Sequence, residues 1–216
     1  MEIKIKIICY ERDILCFSKK ISHELSIRIR MNYRGVRKKS FHRGVFSLKI
    51  DIIGSVASGK TTLAKRISKK YGIPYYEKDN IVWKRTLNGD VKRNPEERDK
   101  YFYDIICENN WIVEGAPRKI LKESFGCCDY IIVLDEYTII RMIRVFKRWI
   151  NQRSGRESYN SKPTWNFLWC NIKWVLDFNQ MKRGLLQELS IFAEKVKIFK
   201  HSKEAYEFVI KSFPQI

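Results

Sequence analysis

The chain has no apolar run near the ~18 residues that a membrane-crossing helix needs, which excludes an α-helical span. Its first residues, Met1-Glu2-Ile3-Lys4-Ile5-Lys6, alternate in charge and offer no apolar secretory region. A cytoplasmic protein without a membrane partner is the resulting expectation. The cysteines at 9, 16, 107, 127, 128 and 170 form no C-x-x-C pair, and the three histidines do not cluster near them. Neither a zinc site nor a disulfide framework is therefore predicted. Cys107 and Cys170 read as small core residues. There is no internal repeat and no low-complexity tract. Acidic residues are scarce, 24 against 43 Lys and Arg, leaving a net charge of +19. Such a surplus suits nucleic acid, an acidic small molecule such as a nucleotide, or a solvated basic surface.

With 216 residues and 44% hydrophobic content, the chain has room for one α/β domain and an extension. The charge surplus is concentrated at the front. Residues 1–47 carry 12 Lys/Arg against 4 Asp/Glu, and the remainder carries 31 against 20. Ile3, Ile5, Ile7 and Ile8 alternate as a strand would, whereas 28–43 is basic and without period. Three readings stand for this stretch: a basic arm for nucleic acid, a poorly ordered tail, or residues upstream of a biological start at Leu48. On the last reading, Arg43-Gly44-Val45 covers a ribosome-binding sequence and Leu48 is a UUG codon. The domain itself is expected over 48–216.

That domain is organised around Ile50-Asp51-Ile52-Ile53-Gly54-Ser55-Val56-Ala57-Ser58-Gly59-Lys60-Thr61-Thr62. Residues 54–61 fit G-x-x-x-x-G-K-[ST], the phosphate-binding P-loop. An apolar strand precedes the motif and a helical pattern follows it, as the motif requires. Gly54 and Gly59 let the backbone turn where a Cβ would clash. Successive N–H groups of Ser55, Ala57, Ser58 and Thr62 can then form an anion nest, aided by the positive end of the helix. Lys60 is placed to reach the β- and γ-phosphates, and Thr61 to ligate Mg²⁺.

After Leu48 strands and helices alternate, which predicts a parallel α/β sheet. Strands are expected at 48–53, 73–76, 111–114, 130–134 and 196–199. Helices are expected at about 59–71, 94–108, 137–150, 165–189 and 203–212. Asn94-Pro95-Glu96-Glu97 is a strong helix start, with Asn94 as cap, Pro95 in the first position and acids facing the helix dipole. Residues 151–164 are polar, basic and flexible in composition, as a lid would be. On the helix after it, Trp165, Trp169, Ile172 and Leu176 recur at i, i+4, i+7, i+11 and are assigned to core packing.

Glu114 ends the third strand and is the preferred partner of Thr61 at the metal; Asp135 ends the fourth and competes for the role. Asp79 follows the second strand, over the sheet edge where ligands of open α/β folds sit. It serves either as a base for an acceptor hydroxyl or as a helix cap. Arg93 and Arg118 are candidates for holding the acceptor. Arg153 and Arg156 are assigned to the lid. Arg141, Arg144 and Arg148 share one helix face. Guanidinium groups of this kind clamp phosphate by two bonds and supply the positive charge that phosphoryl transfer needs.

The P-loop with Thr62-Leu63-Ala64, Asp79 with Trp83-Lys84, Arg93-Asn94-Pro95-Glu96-Glu97, and Trp111-Ile112-Val113-Glu114-Gly115 together resemble the adenylate-kinase-like P-loop proteins known as DNA topology modulation protein FlaR-related. The resemblance covers about 48–216, and the P-loop is its sharpest part. It implies a three-layer α/β/α fold with five parallel strands ordered 2-3-1-4-5, like the small-molecule kinases. It also implies ATP and Mg²⁺ binding and phosphoryl transfer to a small-molecule or nucleotide acceptor. Lys60, Asp79, Arg148 and Arg153 are then the catalytic candidates, and Arg156 joins the P-loop residues around ATP. Gly115-Ala116-Pro117-Arg118 lacks the glycine run of shikimate kinases, which argues against shikimate as acceptor. The alternative reading is a nucleic-acid-associated ATPase or DNA topology regulator. The sequence leaves the oligomeric state open.

Overall fold

The computed structural model describes residues 47–86, 89–157 and 162–214. The strand expected from Ile3, Ile5, Ile7 and Ile8 and the basic stretch 28–43 lie outside the described residues. Residues 47–216 form one compact unit.

Five strands build its sheet: β1 (Leu48–Gly54), β2 (Tyr75–Glu77), β5 (Asn110–Gly115), β6 (Tyr130–Leu134) and β7 (Val196–Phe199). Their order is β2-β5-β1-β6-β7, all parallel. Counting only these five strands, that is 2-3-1-4-5, as expected. Leu48 lies opposite Asn110, and Gly54 opposite Leu134, so β1 runs down the middle, paired on both sides. A strand so placed is covered on both faces and must be apolar on both. Leu48, Ile50 and Ile52 of β1 meet Leu63, Ala64 and Ile67 of α1 (Lys60–Tyr71). Ala205 and Val209 of the C-terminal helix (Ser202–Ser212) complete that layer.

The other face takes Ile53 and Val113, covered by Ile81 and Val82 of α2 (Lys78–Val82) and by Phe102, Ile105 and Ile106 of α3 (Pro95–Cys107). Phe125 of α4 (Glu123–Cys127) and Leu189 of the long helix α6 (Trp165–Leu189) close it. α5 (Thr138–Arg153) precedes α6, and α7 is the Ser202–Ser212 helix. Asn94 caps α3 as expected, its side chain accepting from the Glu97 N–H at 2.7 Å.

Four expectations need correction. A two-stranded antiparallel hairpin, β3 (Trp83–Thr86) with β4 (Gly89–Lys92), projects between α2 and α3. Its Asn88-Gly89 turn signal was present in the sequence. α5 runs on to Arg153, so this arginine is helical and the expected lid shrinks at its front. Cys107 and Cys170 are exposed, and among the described residues Cys128 is the buried cysteine. Of the stripe Trp165, Trp169, Ile172, Leu176, only Ile172 packs against the core; the other three are exposed, and Leu168, Val175 and Phe178 are buried instead. Helix α6 is apolar on more than one face, so a 3.6-residue period cannot select the face that packs.

One buried polar group shapes the sheet. Asp51 sits in β1 on the α3 side, fully buried. The Lys78 ammonium donates to both its carboxylate oxygens at 2.7 and 2.9 Å, and Ser124 donates at 2.5 Å. All three side chains are buried. A carboxylate inside an apolar strand calls for such a partner, and Lys78 supplies it from the end of β2.

Candidate active site

β1 ends at Gly54, where a Cβ would lie 2.6 Å from the Leu134 carbonyl oxygen and 2.9 Å from Ser58 Oγ. No residue but glycine fits there without movement of the backbone. The loop then takes positive φ at Ala57 (59°) and Gly59 (96°) before α1 begins. Such alternation of backbone handedness turns successive N–H groups to one side. Ser55 and Ser58 have buried hydroxyls with no protein hydrogen-bond partner.

Lys60 crosses the loop and donates to the Ser55 carbonyl at 2.7 Å. Burial lowers its pKa, and the charges of Glu114 and Asp79 act against that lowering, with Arg148 adding to it. Thr61 opens α1 and donates to Glu114 Oε1 at 2.5 Å. Glu114 is the last acid of β5, in register with Ile52 on β1 and Glu77 on β2. Burial raises its pKa, opposed by Lys60 and the Thr61 hydrogen bond. Hydroxyl and carboxylate thus stand side by side next to the loop. Among the described residues there is no group of three or more His, Cys, Asp or Glu that could hold a metal by itself. Two oxygen donors fit Mg²⁺, which is commonly held by one or two carboxylates together with substrate phosphates.

Asp135, the competitor, is engaged elsewhere. Lys200 and Lys182 donate to it at 2.7 and 3.0 Å. Burial would raise its pKa, but these two bonds hold it below the ordinary value. The next residue, Glu136, is buried and was missed in the sequence. Its carboxylate receives Arg144 at 3.0 Å and lies 3.1 Å from His201. Arg144 also donates to the Ala57 carbonyl at 3.2 Å, which ties α5 to the loop. Arg141, on the same helix, is buried and bonds Glu136 O, Val175 O and Asn179 Oδ1. It joins helices and does not face a ligand.

Beside the loop lies an open cavity of about 450 Å³, lined by Ala57, Gly59, Thr62, Arg144, Arg148 and Ser202 among others. Arg148 reaches this cavity from α5, beside Gly59 and Thr62. Arg153 and Arg156 do not line this cavity. Arg153 lies over the Trp149 ring at 5.0 Å, and the Arg156 N–H donates to the Asn151 carbonyl.

On the far side of Lys60, Asp79 in the first turn of α2 meets Arg118 at 2.6 Å. These two predicted acceptor residues are brought together from β2 and from the segment after β5. Arg93 instead pairs with Glu97 at 2.6 Å and lies over the Tyr101 ring at 5.1 Å. The Nε atoms of Arg93 and Arg118 are both buried without a protein partner.

Sheet order, loop and flanking helices define the fold of a P-loop NTPase of adenylate-kinase-like architecture. Comparison with curated proteins agrees. The chain is 31% identical over 132 residues to the adenylate kinase of Wigglesworthia glossinidia brevipalpis, covering 53% of this chain and 62% of that protein. It is 25% identical over 138 residues to the adenylate kinase of Francisella philomiragia subsp. philomiragia, covering 53% and 63%. The adenylate kinase of Francisella tularensis subsp. holarctica strain OSU18 is 25% identical over 137 residues, covering 53% and 62%. The chain thus spans less than two thirds of the length of the curated relatives it matches. No family model matches it.

Proposed function

We propose that this chain is an ATP-dependent phosphotransferase that binds ATP with Mg²⁺ and passes a phosphoryl group to a small-molecule or nucleotide acceptor. The observation that carries this reading is the P-loop with Lys60 folded over it and the Thr61–Glu114 contact at 2.5 Å beside it. Similarity to proteins named adenylate kinase supports a nucleotide as the first acceptor class to try.

The roles follow from charge and position. Residues 54–62 cradle the phosphates, Gly54, Ser55, Ala57, Ser58 and Gly59 through the backbone. Lys60 stabilises charge on the β- and γ-phosphates. Thr61 and Glu114 would hold Mg²⁺, which would supply positive charge against the phosphates. Arg148 lines the cavity next to Thr62 and Gly59 and steadies the nucleotide from α5, with Arg144 anchored beside it by Glu136. Arg153, over the Trp149 ring, and Arg156 lie outside the cavity, so Arg148 is the arginine assigned to the nucleotide. Asp79 accepts the proton of an acceptor hydroxyl or orients its phosphate through Arg118, and Arg93 extends that side. The likeness to FlaR-related proteins belongs to the same reading. It rests on the Trp83-Lys84, Arg93-to-Glu97 and Trp111-to-Gly115 stretches.

ADP release from ATP and Mg²⁺ is the test, first with nucleoside monophosphates and then with a metabolite panel. Acceptor-stimulated release is expected. Lys60→Ala, folded by circular dichroism, should lose it by about 10²–10³-fold, the usual effect of removing one transition-state donor. Turnover near the wild-type level in that variant would overturn the reading.

A further inference from the structure

The α6 stripe, exposed except at Ile172, is part of a larger surface. Trp165 and Trp169 are 58% and 65% exposed, and Leu176 is 45% exposed. On α5, Ile139, Ile143, Phe146 and Ile150 recur at the same i, i+4, i+7, i+11 spacing, and all four are exposed. Ile172 faces Ile143, Phe146 and Ile150 across an apolar groove of about 560 Å³. At one end, rings bridge the two helices: Phe146 to Trp149 at 5.8 Å and Trp149 to Trp165 at 4.4 Å. Scattered exposed apolar residues need no explanation, but a continuous patch on two adjacent helices does.

Charge selects among the surfaces that could cover it. Between Thr138 and Leu176 the sequence holds a single acidic residue, Glu157. Lys147, Arg153, Lys162 and Lys173 are all exposed on these helices or their connection. A second copy laid symmetrically on this face would set the cations against their own counterparts. Nucleic acid would answer the cations and could stack on the exposed Trp165 and Trp169, but three of the four exposed residues of the α5 stripe are isoleucines, which offer it neither stacking nor hydrogen bonds. An anionic lipid surface answers both features. Aliphatic side chains reach the acyl boundary, tryptophans sit at headgroup level, and Lys and Arg meet the phosphates.

We propose that the α5/α6 face docks onto an anionic bilayer surface, lying in the interface plane. Among the described residues no helix is long and apolar enough to cross a membrane, and docking of this kind needs none. The expectation of no membrane partner rested on spanning runs alone, which a surface-lying helix pair does not require.

The test is co-sedimentation of the full chain with vesicles of phosphatidylcholine and phosphatidylglycerol, against phosphatidylcholine alone. Binding to the mixed vesicles is expected, weakened by salt and absent without the anionic lipid. Ile143→Glu/Phe146→Glu should bind about tenfold more weakly, because it removes apolar depth and adds charge repulsion. Ile139→Glu/Ile150→Glu provides an independent pair, and unchanged thermal melts show that both variants remain folded. Wild-type protein left in the supernatant overturns the proposal. So does retained binding by both folded variants, since attraction would then come from elsewhere in the basic chain. A dimer in light scattering that these variants split, or DNA binding that they abolish with vesicle binding unchanged, assigns the face to a second copy or to nucleic acid and equally overturns it.

Discussion

Replacing Lys78 with Met tests how the sheet tolerates Asp51. Methionine keeps the length of the lysine stem, whose Cβ lies 2.7 Å from where a Gly115 Cβ would be. What disappears is the ammonium, 2.7 and 2.9 Å from the two Asp51 oxygens. Both side chains are fully buried. Asp51 keeps the Ser124 hydroxyl at 2.5 Å but loses its counter-charge. Removing one partner of a buried pair typically costs about 3–5 kcal/mol, because the remaining charge has no compensation. For a domain of this size that corresponds to a fall in Tm of about 6–20 °C. Urea titration followed by circular dichroism measures it, with the slope unchanged if the loss is in the native state. Asp51→Leu combined with Lys78→Met removes both charges, and stability should recover to within ~2 kcal/mol of wild type. A cost below about 1 kcal/mol for Lys78→Met alone, or a double variant no better than the single, would refute the reasoning.

Three further outcomes are expected. Glu114→Gln should raise the Mg²⁺ concentration needed for half-maximal ATP turnover by about 10–100-fold, and an unchanged metal dependence would remove Glu114 from that role. Asp79→Asn should lower acceptor-stimulated turnover by about 10²–10⁴-fold while ATP affinity moves little; a pure capping role predicts slight destabilisation and normal turnover. Burial pushes the Cys128 thiol up from 9.0 to about 12, so peptide mapping after alkylation at pH 8 should find Cys107 and Cys170 modified in the native protein and Cys128 only after unfolding. The native state holds that thiol proton more tightly than the unfolded chain, so this contribution to stability is present below pH 9 and declines as pH rises from 9 toward 12.

Local signals carried most of the architecture. An uninterrupted apolar run marked β6, and Ile50, Ile52 and Ile53 marked β1 despite Lys49 and Asp51 between them, because central parallel strands are buried on both faces. The Asn94-Pro95 cap and the Gly54–Lys60 loop were legible because their chemistry lies in adjacent residues. What the sequence hid depends on partners far along the chain. Asp51 stood in plain sight within an apolar strand, yet its partner Lys78 comes from another strand end. Glu136 gave no sign that it would anchor Arg144 against Ala57. Three residues of the α6 stripe, all but Ile172, were misassigned because a helix with apolar residues on several faces is buried by whatever packs against it, and tertiary contacts chose Leu168 and Val175. Arg153 and Arg156 were grouped with Arg148 by proximity in sequence, but helix geometry turned Arg148 toward the loop and Arg153 onto Trp149.

Among the carboxylates at the carboxyl edge of the sheet, Asp135, Glu136, Glu114 and Asp79 are separated into different tasks by their partners. Asp135 is held by two lysines and serves packing between α6 and the start of α7. Glu136 is buried and fixes Arg144 at the loop. Both carboxylates are already held in ion pairs. Glu114 meets Thr61, and Asp79 meets Arg118 from a side chain 55% exposed. The charges of both Glu114 and Asp79 are felt at Lys60. They therefore flank the Lys60 ammonium, one from the Thr61 side and one from the open side. On the proposed reaction, that is the separation a transfer needs: a buried acid that stays with the nucleotide and an accessible one that an incoming acceptor can reach. Arg118 would then exchange its bond to Asp79 for one to the acceptor, since a guanidinium serves a phosphate as readily as a carboxylate. The Asp79–Arg118 contact is thus better read as a pair ready to open than as a fixed brace, because an exposed ion pair is worth little on its own.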